Sequence, residues 1–429
     1  MGDGLFDVLI IGAGPAGSIA ALVLARAGAH VALVDKVGFP REKACGDLVG
    51  PRGVQVLEDL AIAVPGSIPI GDMVVVGPTG RRVRLPCFPG LTYPGLGLAV
   101  PRATFDDLLR NEAIAAGAMP FEGQATEAID GDDGLEGFVL NSGVRLRGDA
   151  VIGADGATSR VAAVNGMAEH GRVMWGFAIR SYLAEPVCLP HIVLWEPSPW
   201  HALPGYGWLF PGPDGRANVG LGVGTLTDRT SASAAVQLLP AFLEHLRRLG
   251  LLAFRPQPAA RLGGWLKMGI VGTTPAAGRV LLVGDAAGLV NPLQGEGISQ
   301  ALSSGRAAAD AILAGPDQAA TRYTACLAAE HVPYHQIAAA TQAALLPRPK
   351  AVASVGRILT LPGIGAALSG GWSIFWNELH DGAAPGAARS TAGIAVAVGR
   401  AVTAHTATRR WFDENLRATP PPSVTRNRW

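Results

Sequence analysis

Positions 6–11 are apolar but for Asp7, several of them β-branched, and a second run, H-V-A-L-V, fills 30–34. Apolar runs without alternation predict strands buried on both faces, as in a parallel sheet. Between them, an alanine-rich stretch from Pro15 to Ala27 predicts a helix, and Gly28 is placed to end it. The chain therefore opens with a βαβ unit whose second strand closes at Asp35. After residue 71 the texture changes to short strands around a turn at Pro78, Thr79 and Gly80. A helix is predicted over 102–116, and an antiparallel meander over 119–149, after which Val151 and Ile152 lead into G-A-D-G. Strand-like segments rich in aromatics occupy 173–223, followed by an amphipathic helix over 234–249. A buried strand over 279–283 precedes a helix from about 295 to 314. From 331 to 416, helical stretches broken by proline and glycine replace the strand signals. The tail from Thr419 reads as loosely packed.

Composition narrows the classes. With 429 residues the chain has room for two or three domains. A net charge of +1, with 16% charged residues, leaves no basic excess to neutralise a phosphate backbone, so nucleic acid is not an expected partner. Hydrophobic residues make up 49% and mean hydropathy is +0.28, which excludes intrinsic disorder. Such values point to a greasy ligand pocket or a loose membrane contact. No run approaches the roughly 18 uninterrupted apolar residues of a transmembrane helix. Acids at the N-terminus, where an export signal needs basic residues, make the opening run a first strand. Cys45, Cys87, Cys188 and Cys326 are far apart and form no C-x-x-C, against a disulfide framework or a zinc site. The cytoplasm is the expected compartment.

Three glycine turns carry the chemistry. In Gly12-Ala13-Gly14-Pro15-Ala16-Gly17, the first glycine permits a tight turn and the second lets the backbone approach a pyrophosphate. The third lets the helix pack close to the strand, and the helix N-terminus offers free N–H groups to phosphate. Asp35, followed by Lys36, stands 18 residues after Gly17, placed to accept hydrogen bonds from a ribose. The second turn is Gly153-Ala154-Asp155-Gly156, which taken alone is an ordinary Asp-Gly turn. The third is Val283-Gly284-Asp285-Ala286-Ala287-Gly288, continued by Pro292, Gly295, Gly297 and Ile298. A strand ending in Gly-Asp offers a carboxylate to a sugar-alcohol hydroxyl, and the glycines beyond it let a helix N-terminus come close to a planar ring; taken alone, the segment is equally a generic β-α turn. Tyr206, Trp208 and Phe210 recur at period 2, so one strand face carries all three. That face suits either a wall for a long apolar chain or plain core packing. Trp195, Trp200 and Trp265 are further candidates for the same wall. Cys45 is either a redox group or weak proton donor, or a small buried thiol without chemistry. The histidines, His191, His201, His331 and His335 among them, lack the carboxylates or cysteines of a metal set, so no metal is expected. No G-x-S-x-G surrounds a serine, against a hydrolase triad.

The three turns in this order resemble the FAD-binding set of the flavoprotein group that includes aromatic hydroxylases, flavin halogenases and geranylgeranyl reductases. The match falls on Gly12, Gly14, Gly17, Asp35, Asp155, Gly156, Gly284, Asp285, Gly295 and Gly297, with Arg102 matching the arginine that opens a helix flanking FAD. Arg41-Glu42-Lys43-Ala44-Cys45-Gly46-Asp47 resembles the K-x-C-G segment of geranylgeranyl reductases, and Gly205-Tyr206-Gly207-Trp208-Leu209-Phe210-Pro211 their Y-x-W-x-F-P segment. Flavin halogenases carry W-x-W-x-I-P there, and this chain departs from it at Tyr206 and Phe210. The resemblance spans about residues 5–315.

The resemblance implies the fold class α/β: a Rossmann-like FAD-binding domain (1–71, 100–168 and 265–330), a β-rich substrate domain (72–99 and 169–264) and a helical C-terminal region (331–429). It implies FAD held by Gly12, Gly14, Ala16, Gly17, Asp35, Lys36, Cys45, Gly46, Arg102, Asp155, Gly156, Gly284, Asp285, Pro292, Gly295, Gly297 and Ile298. Tyr206, Trp208 and Phe210 would line the substrate pocket, with Cys45 as the catalytic candidate. The implied activity is hydride transfer from reduced flavin to a carbon–carbon double bond of a hydrophobic isoprenoid substrate. The alternatives are a monooxygenase or epoxidase of a prenylated or polycyclic product, and a non-catalytic flavin-containing lipid binder or electron-transfer protein. With one dinucleotide fingerprint, NADPH or NADH would dock transiently as reductant, or a ferredoxin-type partner would supply electrons. Trp372 and Trp376, four apart, pack in the core or anchor the protein peripherally at a membrane.

Overall fold

The computed structural model describes residues 4–403, apart from 89–93, 133, 170, 195–204, 226–235, 254–259, 346–347, 364–367 and 369–385. Trp195, Trp200, His201, Trp372, Trp376 and the tail lie outside the described residues.

The two apolar runs become the strands Gly4–Ile11 and Val31–Asp35, joined by the helix Pro15–Arg26. Their sheet continues in one direction with Arg145–Gly153 and Val280–Leu282, and in the other with Met119–Glu122, all five strands parallel. The short strand Ala276–Ala277 and the hairpin Ala125–Gly131 and Gly134–Leu140 complete it. Register brings the strand ends level: Ile11 is opposite both Val34 and Gly153, and Gly153 is opposite Leu282. Three turns separated by some 270 residues of chain therefore leave the same carboxyl edge, where open α/β sheets bind ligands.

Two expectations for the 119–149 region change. Met119–Glu122 pairs in parallel with Val31–Asp35 instead of opening a meander, because it follows the helix Arg102–Ala115 and returns to the sheet as a crossover strand. Arg145–Gly153 is one strand that serves the hairpin with its first half and the parallel sheet throughout.

A seven-stranded sheet covers the cavity side. Its order is Leu262–Met268, Met174–Leu183, Ala217–Thr225, Gly205–Pro211, His191–Leu194, Met73–Val76 and Arg82–Leu85. All neighbours are antiparallel except His191–Leu194 with Met73–Val76. Residue 265 falls inside its first strand, and Gly97–Ala99 pairs instead with Leu48–Val49 and Ile68–Ile70 in a small third sheet. The helix Leu239–Arg248 packs on the outer face through Phe242, and begins later than the amphipathic pattern suggests, with Pro240 in its first turn. The helix predicted from 295 begins at Ile298, since Gly295 has φ +69° and cannot join it. C-terminal helices run over Ala319–Glu330, Val332–Leu345, Pro349–Leu359 and Gly386–Thr403. Among the described residues no helix is long and apolar enough to cross a membrane.

Candidate functional site

The first turn is built as its glycines require. Gly12 has φ +109°, and a Cβ there would fall 2.2 Å from Ala154 O. At Gly17 a Cβ would fall 1.9 Å from Gly12 O, so this glycine stands behind the cavity wall and lets helix and strand touch. The helix start at Gly14 has no side-chain cap, and Pro15 has no N–H to satisfy, which leaves the Ala16 and Gly17 N–H groups for an anion. Asp35 accepts from Ala13 N at 2.9 Å and Val37 N at 3.2 Å, bracing the turn while still lining the cavity. Sequence reading passed over Arg41. Its guanidinium lies over Gly14, 3.3 Å from where a Cβ would be, and pairs with Asp106 at 3.3 Å. It is the cation best placed to meet a pyrophosphate.

At the second turn, Asp155 Oδ2 accepts from Arg160 N at 2.6 Å and Val161 N at 3.2 Å, but its buried Oδ1 has no partner. Burial lifts the Asp155 carboxyl above the usual range, and a donor such as a ribose or phosphate-side hydroxyl would satisfy the free oxygen. Gly156 beside it has φ +81°. At the third turn, Gly284 has φ +55°, and Asp285 pairs with Lys43 at 3.3 Å across the cavity. The helix after Gly297 has its Ser299 N–H taken by Glu296 at 2.8 Å. Behind this turn lies Lys267, 2% exposed, donating to Ala286 O at 2.8 Å, and burial lowers it to about 8. His335 faces Leu289 O with Nε2 at 2.9 Å and His331 O with Nδ1 at 3.0 Å, tying the helix Val332–Leu345 against the third turn.

These turns and the seven-stranded sheet enclose a cavity of about 1420 Å³. This exceeds the roughly 300–1,000 Å³ of a single small-molecule site, and fits a dinucleotide together with an apolar chain. Gly12, Gly14, Ala16, Asp35, Lys36, Cys45, Gly46, Arg102, Asp155, Gly156, Gly284, Asp285, Pro292, Gly295, Gly297 and Ile298 all line it. Tyr206, Trp208 and Phe210 line it too, from one face of their strand, and Trp265 joins from the edge strand. The opposite face of the aromatic strand carries Gly207, where a Cβ would fall 2.0 Å from the Phe242 ring. The wall is thus also core, packed from behind by a helix. Gly46 lies under the aromatics, with a Cβ position 3.0 Å from the Phe210 ring.

Arg102 lies 4% exposed beneath this floor, clamped by Asp106 at 2.6 and 2.7 Å. Burial works against its charge, but the Asp106 carboxylate overrides burial and holds it protonated. Burial pushes the neighbouring Cys45 thiol up. Asp47, which closes the segment resembling K-x-C-G, converges here with Asn218, Tyr182 and Asp106; no period or motif marks the latter three, because they come from separate segments.

The first and second turns, the orphaned Asp155 oxygen and the cavity volume fit FAD; Gly14 and Arg41 would meet its pyrophosphate and Asp285 its ribityl chain. Comparison with known proteins agrees. An FAD binding domain family matches residues 6–186. The chain is 38% identical over 320 residues to a menaquinone reductase of Mycolicibacterium smegmatis, covering 72% of this chain and 76% of that one. It is 30% identical over 329 residues to a geranylgeranyl diphosphate reductase of Rhodobacter capsulatus, covering 72% and 75%. A geranylgeranyl bacteriochlorophyll reductase-like structure from Thermoplasma acidophilum superposes with TM-score 0.62 at 21% identity, covering 96% of this chain and all of that one. The chain is an FAD-dependent oxidoreductase that belongs to the geranylgeranyl reductase-like family.

Proposed function

We propose that the protein reduces carbon–carbon double bonds in the isoprenoid chain of a neutral lipid, a prenylated quinone being the first candidate. The observation that carries this reading is the charge distribution of the cavity wall. Its cations, Lys36, Arg41, Lys43, Arg52, Arg102 and Arg160, all come from the dinucleotide side. The described lining residues of the seven-stranded sheet and of the C-terminal helices include no charged side chain. Burying a diphosphate against such a wall carries a heavy desolvation cost, whereas a prenyl chain gains from it. The 38% identity to a menaquinone reductase favours the same class.

Bound and reduced, FAD would supply hydride. The chain's own residues orient the alkene and keep water out. Tyr206, Trp208, Phe210 and Trp265 line the path for an extended chain, and Cys45, on the loop below, is the candidate proton donor. NADPH or NADH would dock transiently to reduce the flavin, with a ferredoxin-type donor as the other source. Val355, Leu359 and Val398 of the C-terminal helices line the cavity, with Val355 and Val398 exposed. We read this as the entry for a lipid drawn from the cytoplasmic face of a membrane by a peripherally bound enzyme.

The test is anaerobic incubation of the reduced holoenzyme with a prenylated menaquinone and, separately, with geranylgeranyl diphosphate, followed by mass spectrometry. Gain of two hydrogens by the quinone chain is expected. Reduction of the diphosphate alone would overturn the neutral-lipid reading. Oxygen incorporation in an aerobic parallel, with no anaerobic reduction, would replace reduction by oxygenation.

A further inference from the structure

One amide interrupts the neutral wall of the cavity. Gln342, 7% exposed, lines it from the helix Val332–Leu345. Among the described lining residues of the seven-stranded sheet and the C-terminal helices, it is the one asparagine or glutamine. Its Oε1 is buried and has no hydrogen-bond partner. Native structures leave few such atoms unmatched, because a buried acceptor without a donor costs stability. An apolar residue there would bury a similar area without that cost, so the fold alone does not call for an amide. Two other polar groups of the wall are engaged: the Tyr206 hydroxyl donates to Gln294 O, and Trp208 Nε1 to Asn218 Oδ1 at 2.8 Å.

The helix that carries Gln342 is anchored at its start and middle. His335 is tied to Leu289 O at the third turn. A Cβ at Gly269 would fall 3.2 Å from Ala339 Cβ and 3.0 Å from Pro292 Cγ, so the helix packs on the segment that follows that turn. Ile337, Thr341, Ala344 and Leu345 recur at helical spacing along its cavity face, and Gln342 joins them. Gln342 comes seven residues after His335, about 10 Å further along the axis. Past the end of this helix the lining continues through Leu359 to the exposed Val355 and Val398. Along the chain of contacts, the amide therefore lies between the third turn and the exposed edge of the cavity.

We propose that Gln342 is the head-group site for the lipid: its amide takes a ring oxygen of a prenylated quinone or quinol, and by fixing the head it selects the double bond of the chain that is reduced. The proposal rests on the neutral-lipid reading above. The unpartnered Oε1 accepts from a quinol hydroxyl, and Nε2 donates to a quinone carbonyl. An uncharged donor and acceptor suit an uncharged head. A diphosphate would find a single amide donor here and no cation from the helices around it. Once the head is held, the length of the chain between head and flavin decides which alkene lies in reach.

The test compares wild type with Gln342→Met, which keeps the side-chain length and removes the amide. Reduced holoenzyme is given a prenylated menaquinol without oxygen, and tandem mass spectrometry locates the added hydrogens. Wild type is expected to reduce one position of the chain. Gln342→Met should raise KM for the menaquinol roughly three- to tenfold and spread reduction over several positions. Without lipid, the variant holoenzyme should keep its flavin and melt about 1–3 °C higher, because an unmatched buried oxygen is gone. A KM within about twofold of wild type overturns the head-group contact, and an unchanged single position overturns the choice of double bond; both leave the neutral-lipid reading in place. No reduction of the menaquinol by wild type overturns that reading and this proposal together. A lower Tm, failure to fold or loss of flavin in Gln342→Met assigns the amide to the fold or to the cofactor instead.

Discussion

Lys267 shows how much a single buried charge can cost. It is 2% exposed, its hydrogen bond is to a backbone carbonyl, and burial lowers it to about 8. Above that pH the native chain sheds a proton that the unfolded chain keeps until about 10.5, so the unfolded state binds more protons and stability rises with pH across the window. Denaturant titrations of wild type and Lys267→Met should therefore show wild type gaining roughly 2–3 kcal/mol on the variant between pH 8 and 10. A constant gap would show that Lys267 is not buried as a charge. Gly12 tests the opposite situation, in which a missing side chain is what the site needs. Gly12→Ala drives a Cβ to 2.2 Å from Ala154 O at φ +109°. The expected cost is about 2–4 kcal/mol, with loss of bound flavin read from visible absorbance. Gly12 was legible in the sequence because a tight turn before a helix has few other solutions. The buried contacts of Asp47 were not, because they depend on Tyr182 and Asn218 being brought to it from the far sheet.

Elements here are held close by glycines that face other elements. Gly305, on the helix Ile298–Leu313, faces Ala16 O, and a Cβ there would come within 2.2 Å. Gly305→Ala should push this helix off the helix Pro15–Arg26 and destabilise the protein by about 1–3 kcal/mol, measured by denaturant unfolding. Gly220 faces the Trp208 ring at 2.2 Å and Ile179 O at 2.4 Å from its would-be Cβ. Gly220→Val should displace Trp208 into the cavity, raising KM for the proposed lipid substrate at least roughly tenfold while flavin content is kept. Unchanged KM would mean that Trp208 does not bound the substrate path. Periodicity located the aromatic strand and its shared face correctly. It did not separate wall from core, since Phe242 packs the back of the same strand while the aromatics line the cavity in front. The crossover strand Met119–Glu122 was likewise hidden, because four residues with two polar or constrained members look alike in a meander and at a parallel edge.

On the scale of the whole molecule, the cavity lies between two sheets that have little covalent reason to stay together. The loops and helices around the parallel sheet supply the cations and the three turns, and the seven-stranded sheet supplies the neutral wall. A dinucleotide spanning them should act as a brace. FAD at about a hundred times its dissociation constant should add about 2.7 kcal/mol to unfolding, seen as a rise of a few degrees in Tm over the flavin-free protein. An unchanged Tm would mean that the cofactor does not bind the native chain preferentially.

Local physics was enough to write the three turns, the strands before them and the aromatic face into the sequence. Positive φ, close helix packing and period-2 alternation each restrict residue type within a few positions. Tertiary structure alone decided that the turns share one edge, that Arg41 lies over the first of them, and that Asn218 spans wall and loop. Such contacts join residues far apart in the chain, 242 positions in the case of Lys43 and Asp285, and side-chain identity at one end places almost no constraint on the other until the strands are in register.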